Sequence, residues 1–305
     1  MGKRSRPGNQ MRRLEKGSGQ FKEAFRKLTR SGSSYNDAMS HLPSHHEDKS
    51  TFYGRKAMRS YQEGIAFQYL RETKYDRESI LRRDDLGPVP RPPVYKIYAE
   101  ATKIPLPEPV FEETTSLWRI LSQRRSRRRY TPEPIDMRTL ATLLWAIQGI
   151  TFSGPGYEFR TAPSAGALYP VETYLSIHHV SDLKPGIYHF NVLDFALEEI
   201  AVGDFGEYLS HAALDQAMVG RGAVLFVWTA IVLRAMWKYR NRCIRYICMD
   251  AGHIGENLQL ACTALGLGCC PIGAFYDDEI NSVLKIDGEE ETTIYLASVG
   301  NLSSH

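Results

Sequence analysis

Four stretches carry residue types whose chemistry goes beyond filling a core. The first is Arg124-Arg125-Ser126-Arg127-Arg128-Arg129-Tyr130. If this segment is extended, its side chains alternate, so Arg124, Ser126 and Arg128 share one side and Arg127 points the other way. Two guanidiniums and a hydroxyl on one side make a phosphate cradle. A nuclear-localisation or RNA-binding patch is the competing use of such a run. Against it, the run lies just before a capped, core-forming helix and not in a tail. The second stretch is Arg160-Thr161-Ala162-Pro163-Ser164-Ala165-Gly166-Ala167-Leu168-Tyr169-Pro170-Val171-Glu172. Its small residues let bare backbone approach a planar ligand, although an ordinary tight loop has the same composition.

The third stretch is Trp237-Lys238-Tyr239, followed by Arg242, Arg245, Tyr246, Asp250, Gly252, His253 and Asn257. Polar residues stand beside aromatics just ahead of a buried helix, where a solvated helix start with an acid near its N-terminal end is the plainer alternative. His253 and Asn257 share a helix face. With Asp250 they match no zinc-binding spacing, so no metal site is expected. The fourth runs from Ala264 through Gly266, Gly268, Cys269, Cys270, Pro271, Ile272, Gly273 and Ala274 to Phe275. Its glycines end a helix instead of opening one, which excludes a dinucleotide fingerprint, and no P-loop is present.

The elements that must position these residues follow from periodicity. Asp136 caps a helix with apolar residues at Leu140, Leu143, Leu144, Ile147 and Ile150. Residues 171–177 read as a strand, and 186–192 with 195–200 as a hairpin around Leu193-Asp194. Asp204 opens a helix. The most apolar run, 223–232, is a buried strand. A long helix over 247–265 has an apolar face (Ile247, Ile254, Leu258, Ala261, Leu265) and a small-residue face (Ala251, Gly252, Gly255), and Gly266 stops it. A strand at 269–273, a short helix from Asp277 and a strand at 292–299 complete the chain. Strands and helices mix without a βαβ repeat, so the class is α+β. Upstream, residues 1–44 read as a basic, mostly disordered arm, and 45–110 as a helical extension ending in a Pro-rich linker. The run 87–93 cannot be helical and is expected to be a strap across the surface. The main domain is expected over 111–305.

Composition narrows the function classes. The chain has 305 residues, 43% hydrophobic and 24% charged, with a net charge of +3, as an ordinary globular protein does. Residues 1–30 hold ten Lys/Arg and two acids, so the remainder carries a net charge of −5. The basic excess belongs to the arm, which argues against a nucleic-acid-binding core. No apolar run reaches the roughly 18 residues of a membrane span, and no secretory signal is visible. The five cysteines, Cys243, Cys248, Cys262, Cys269 and Cys270, show no CxxC pair or zinc spacing. They suggest reduced thiols and a cytoplasmic setting.

Taken in order, RRSxRxY, RTAPSAGALYPVE, WKY…RY…DAGHxxxN, ALGLG and PIGAF resemble the nitroreductase superfamily, and within it the SagB-type, azoline-oxidising dehydrogenases. The resemblance covers roughly residues 115–300. It implies an α+β fold with a central, mostly antiparallel sheet flanked by helices, in a homodimer with FMN at the subunit interface. By that resemblance Arg124, Ser126 and Arg128 hold the FMN phosphate and ribityl chain. Pro163, Ser164, Ala165 and Gly166 contact the flavin from the partner subunit, and Ile272, Gly273 and Ala274 lie beside its reactive edge. The long helix forms the dimer core. Lys238 and Tyr239 match the catalytic Lys-Tyr pair of the azoline-oxidising members. A partly desolvated Lys can act as a base near neutral pH; the alternative is a surface Lys238 beside a core Tyr239. Many nitroreductases bring further basic residues to the phosphate after the last strand. Here that stretch reads Ser298-Val299-Gly300-Asn301-Leu302-Ser303-Ser304-His305, so either the Arg-rich segment suffices or a residue elsewhere in the chain contributes.

The resemblance therefore implies oxidation of a peptide azoline or related small substrate by hydride transfer to flavin, with partners in a biosynthetic complex. Two alternatives remain: an NAD(P)H-dependent nitro or quinone reductase, and a non-catalytic docking subunit.

Overall fold

The computed structural model describes residues 63–75, 77, 87–111 and 115–302. The expected arm and most of the helical extension lie outside the described residues. The chain divides into two units, Met1–Glu72 and Thr73–His305. In the first, the described residues form one helix, α1 (Ile65–Glu72), with Ile65, Phe67 and Leu70 exposed.

The second unit holds β1 (Lys103–Pro105), α2 (Leu117–Gln123), α3 (Met137–Gln148), β2 (Ile150–Gly154), β3 (Tyr157–Arg160), β4 (Val171–Ile177), β5 (Gly186–Asn191) and β6 (Ala196–Val202). These are followed by α4 (Gly206–Ala212), α5 (Met218–Arg221), β7 (Val224–Ile231), α6 (Leu233–Tyr239), α7 (Cys243–Ala264), β8 (Leu267–Ile272), α8 (Asp277–Leu284) and β9 (Glu291–Asn301). Seven strands form one antiparallel sheet in the order β1-β6-β5-β4-β7-β9-β8. Period-2 alternation divides each central strand between two cores. Val224, Phe226 and Trp228 face α3 and α7, whereas Leu225 and Val227 face α4, α5 and α8. A strand covered on both sides reads as a continuous apolar run, which is why 223–232 was legible without alternation. The fold is α+β, a sheet between two helical layers, as the sequence predicts.

The departures have physical causes. Ile150 fits the helical period of α3, but the helix ends at Gln148 and Gly149 turns the chain. Ile150 instead opens the two-stranded β2–β3 hairpin, which the periodicity did not reveal. α6 is a separate helix, and α7 begins at Cys243, four residues before the expected start. Arg242, Arg245 and Tyr246 blur the apolar period there because they face segment 73–75. Arg245 Nη2 donates to Thr73 Oγ1 at 3.0 Å, and the Arg242 guanidinium lies 4.3 Å from the Tyr75 ring. The α7 stop falls where expected, with Gly266 in the left-handed region at φ +71°. Residues 87–93 are not helical, and their Pro93 and Gly87 carbonyls accept from Arg234 and Arg240 at the two ends of α6.

Candidate active site

The loop between β3 and β4 is wound tightly. Gly166, Ala167 and Tyr169 all have positive φ (+67°, +53° and +46°), a conformation that costs energy for non-glycine residues. Side chains offset that cost. The Ser164 hydroxyl donates to Asp250 Oδ2 at 2.5 Å and accepts from the Tyr169 amide at 2.9 Å. Asp250 Oδ1 accepts from the Ala165 amide at 3.2 Å. Tyr169 Oη accepts from the Arg160 amide and donates to the Glu158 carbonyl. Ser164 is thus a hub inside the loop, with its hydroxyl already engaged. Burial raises the Asp250 pKa, while the bonds from Ser164 and Ala165 and the nearby His253 oppose the rise.

This loop meets the third sequence stretch directly. A Cβ built on Gly166 would lie 2.6 Å from both Lys238 Nζ and Tyr239 Oη. Only glycine both tolerates the φ and leaves room for these two polar atoms. Lys238 is exposed in the single chain, and Tyr239 is half-buried with its ring 4.5 Å from that of Tyr246 on α7. Among the expected site residues, then, Gly166, Lys238 and Tyr239 are in immediate contact.

The Arg-rich segment forms the other half. It runs along the edge strand β8 without becoming a strand itself, with Ser126 bridged to Cys269 and the Arg127 amide donating to the Cys269 carbonyl at 2.9 Å. Arg124 reaches α7, donating to Gln259 Oε1 at 3.0 Å with Glu256 at 3.9 Å. Arg128 lies against the Cys270 thiol and holds its pKa below what burial alone would give. Arg125 and Arg127 line a separate open cleft of about 400 Å³ with Ser122, Thr263 and Leu302. Ile272 ends β8, and beyond it the Ala274 carbonyl accepts from Gln216 Nε2 at 3.0 Å. Space above Gly273 is open, with nothing within 4 Å of a Cβ placed there. Ser126 and Arg128 fit a flavin phosphate, being exposed with no described carboxylate paired to Arg128, whereas Arg124 is already engaged by Gln259 with Glu256 beside it.

Sequence reasoning missed a buried charge network behind the site. Glu172, on β4, pairs with Arg234 and accepts from His189 Nε2 at 3.1 Å; His189 Nδ1 is 2.9 Å from Glu198. Burial opposes ionisation of Glu172, yet Arg234, His189 and Arg160 outweigh it and hold its carboxyl at about 2. Burial likewise disfavours the His189 imidazolium, and its two carboxylate partners reverse that, raising its pKa. The available signal was a lone acid in the apolar 171–177 run and an Arg directly after the apolar 223–233 run.

Comparison with known proteins places this site in context. The Nitroreductase family model matches residues 121–301. The Methanocaldococcus jannaschii protein MJ1384, described as a nitroreductase, is 35% identical over 188 residues, covering 62% of this chain and 92% of its own. The microcin B17-processing protein McbC of Escherichia coli is 26% identical over 174 residues, covering 55% of this chain and 63% of McbC. A crystal structure of an Anabaena variabilis protein described as a nitroreductase superposes with a TM-score of 0.62 at 28% identity. It covers 77% of this chain and 46% of that one. The chain thus spans less than two thirds of McbC and of the Anabaena protein.

Proposed function

The chain belongs to the nitroreductase family, a family of oxidoreductases, and from that premise we propose that it is an FMN-dependent dehydrogenase that oxidises a peptide azoline or a related small substrate. The observation that carries this is the contact of Lys238 Nζ and Tyr239 Oη with Gly166. It sets a proton-accepting pair against the loop whose backbone is shaped to approach a planar ring. Similarity to McbC, a protein that processes microcin B17, supports a substrate that is processed in biosynthesis.

Arg124, Ser126 and Arg128 would hold the phosphate and ribityl chain of FMN, with residues 163–166 and 272–274 bordering its ring. FMN, when bound, supplies a two-electron acceptor. The chain's own residues supply the rest. Lys238 takes the proton from the substrate carbon next to the one that loses hydride. Tyr239 orients the substrate or shares that proton. For a thiazoline or oxazoline the product is the aromatic azole. The protein acts as a homodimer whose core is α7. On that helix Ile244, Met249 and Gly252 are exposed, with nothing within 4 Å of a Cβ on Gly252.

MJ1384, at 35% identity, favours a second reading as an NAD(P)H-dependent nitro or quinone reductase. Anaerobic mixing of the flavin-loaded protein with a synthetic thiazoline-containing peptide, and separately with NADH or NADPH, distinguishes the two. Bleaching of the flavin absorbance by the peptide, with azole in the product, is the expected result. Bleaching by nicotinamide alone would overturn it in favour of the reductase.

A further inference from the structure

α6 has seven residues and no side-chain cap at its first turn. So short a helix does not hold itself in water, and its position must be set from outside. Backbone bonds from Ile231 to the Pro170 carbonyl (2.9 Å) and from Val232 to the Glu290 carbonyl (3.2 Å) fix where α6 starts. They do not fix its rotation about its own axis. Arg234 is suited to that. It is 3% exposed. Its Nε donates to the Pro93 carbonyl at 2.7 Å, and its Nη1 donates to the Tyr169 carbonyl at 3.2 Å and to Glu172.

Lys238 lies four residues further on, so the two side chains share a face. Successive turns of α6 therefore meet one short segment at two points. Arg234 grips it at Tyr169 and Glu172, and Lys238 touches it at Gly166. Glu172 is itself anchored through His189 to Glu198, so the grip reaches across β4, β5 and β6. Towards its C-terminal end α6 is braced by segment 87–93 as well, through the Arg91 guanidinium 4.8 Å from the Trp237 ring and through Arg240, just past the helix, whose Nη2 donates to the Gly87 carbonyl at 2.7 Å.

We propose that Arg234 is a positioning residue: by pairing with Glu172 and holding the backbone of Tyr169 and Pro93, it sets the rotation of α6 and keeps the Lys238 amine over Gly166. This rests on Lys238 being the proton acceptor of the proposed reaction. A buried ion pair stabilises a fold weakly compared with apolar packing of the same volume, but a forked guanidinium fixes orientation as no apolar side chain can.

Arg234→Lys keeps the charge and loses the fork. In the flavin-loaded protein it should retain FMN content and slow bleaching by the thiazoline peptide by about tenfold or more. Combined with Lys238→Ala, it should add no further loss beyond about twofold, because residues acting through one another are non-additive. Full multiplication of the two losses, or parental bleaching by Arg234→Lys, would overturn the proposal. If Arg234→Lys does not fold, the charge-free pair Arg234→Met/Glu172→Gln is read in the same way. If the peptide does not bleach even the parent, the azoline assignment fails, and the position of Lys238 is read directly. Acetylation of Lys238 by an N-hydroxysuccinimide ester, followed by mass spectrometry, should then rise several-fold in the Arg234 variant. An unchanged rate would overturn the positioning role independently of the substrate.

Discussion

Gly166 is where backbone conformation and chemistry constrain each other most tightly. Alanine there would carry the cost of a left-handed residue, about 1–2 kcal/mol. It would also push Lys238 Nζ and Tyr239 Oη from positions 2.6 Å from the new Cβ. The Lys238 amine ends a flexible, exposed side chain and would swing aside at little cost, whereas the Tyr239 ring, packed 4.5 Å from that of Tyr246, would have to shift with its neighbour. Gly166→Ala should therefore lower substrate-dependent flavin reduction far more than it lowers the melting temperature, as calorimetry beside stopped-flow absorbance would show. Lys238→Ala should leave FMN content and melting temperature nearly unchanged and slow flavin reduction by the peptide by roughly 10²–10⁴. A loss confined to stability would make Lys238 a surface residue with no part in the chemistry.

At the scale of elements, the Arg-rich segment and β4 make separable predictions. Arg128 stands beside Cys270, while Arg127 lines the cleft with Thr263 and Leu302. A charge-assisted bond is worth about 1.5–3 kcal/mol, so Arg128→Ala should weaken FMN binding by roughly ten- to a hundredfold. Arg127→Ala should change it little; fluorescence titration of the apoprotein measures both. On β4, the Glu172 carboxyl is held at about 2 against an ordinary 4.5. A depressed folded pKa contributes stability that is fully present above the ordinary value and lost as pH falls through the folded one, here between about 4.5 and 2. His189 has the opposite sign: its raised pKa contributes below the ordinary 6.5 and is lost as pH rises past the folded value. Melting temperature against pH should fall on the acid side in the parent, and that limb should flatten in Glu172→Gln.

The same elements show what sequence can and cannot reveal. Strands β4 and β7, the body of α7 and its Gly266 stop were legible because burial imposes period and composition. α6 was not, because its seven residues take their place from Arg234, Trp237 and segment 87–93, contacts that join residues far apart in sequence. The β2–β3 hairpin was hidden because Phe152, Tyr157 and Phe159 pack on one another at its half-exposed surface instead of alternating into a core. Lys238 and Tyr239 could be named from their motif, but nothing in the spacing placed Gly166 under them.

On the scale of the whole molecule, the parts of the proposed site fall into two groups on one chain. Residues 163–166 gather with Lys238, Tyr239 and Asp250, while 124–128 gather with β8. α7 touches both, through Asp250 and through Glu256 and Gln259. A homodimer packed on the exposed stripe of α7 would complete each site from two copies, and light scattering of the flavin-loaded protein should give twice the 34.6 kDa chain mass. A monomer that keeps its flavin would show that one chain suffices. No helix among the described residues is long and apolar enough to cross a membrane. The central claim, a flavin bound by its phosphate in the Arg124–Ser126–Arg128 cradle, is tested most directly by titrating the apoprotein with FMN and with riboflavin, which lacks only the phosphate. FMN should bind tighter by about tenfold or more, with that preference collapsing in Arg128→Ala; equal affinity for the two flavins, or binding of neither, would contradict it.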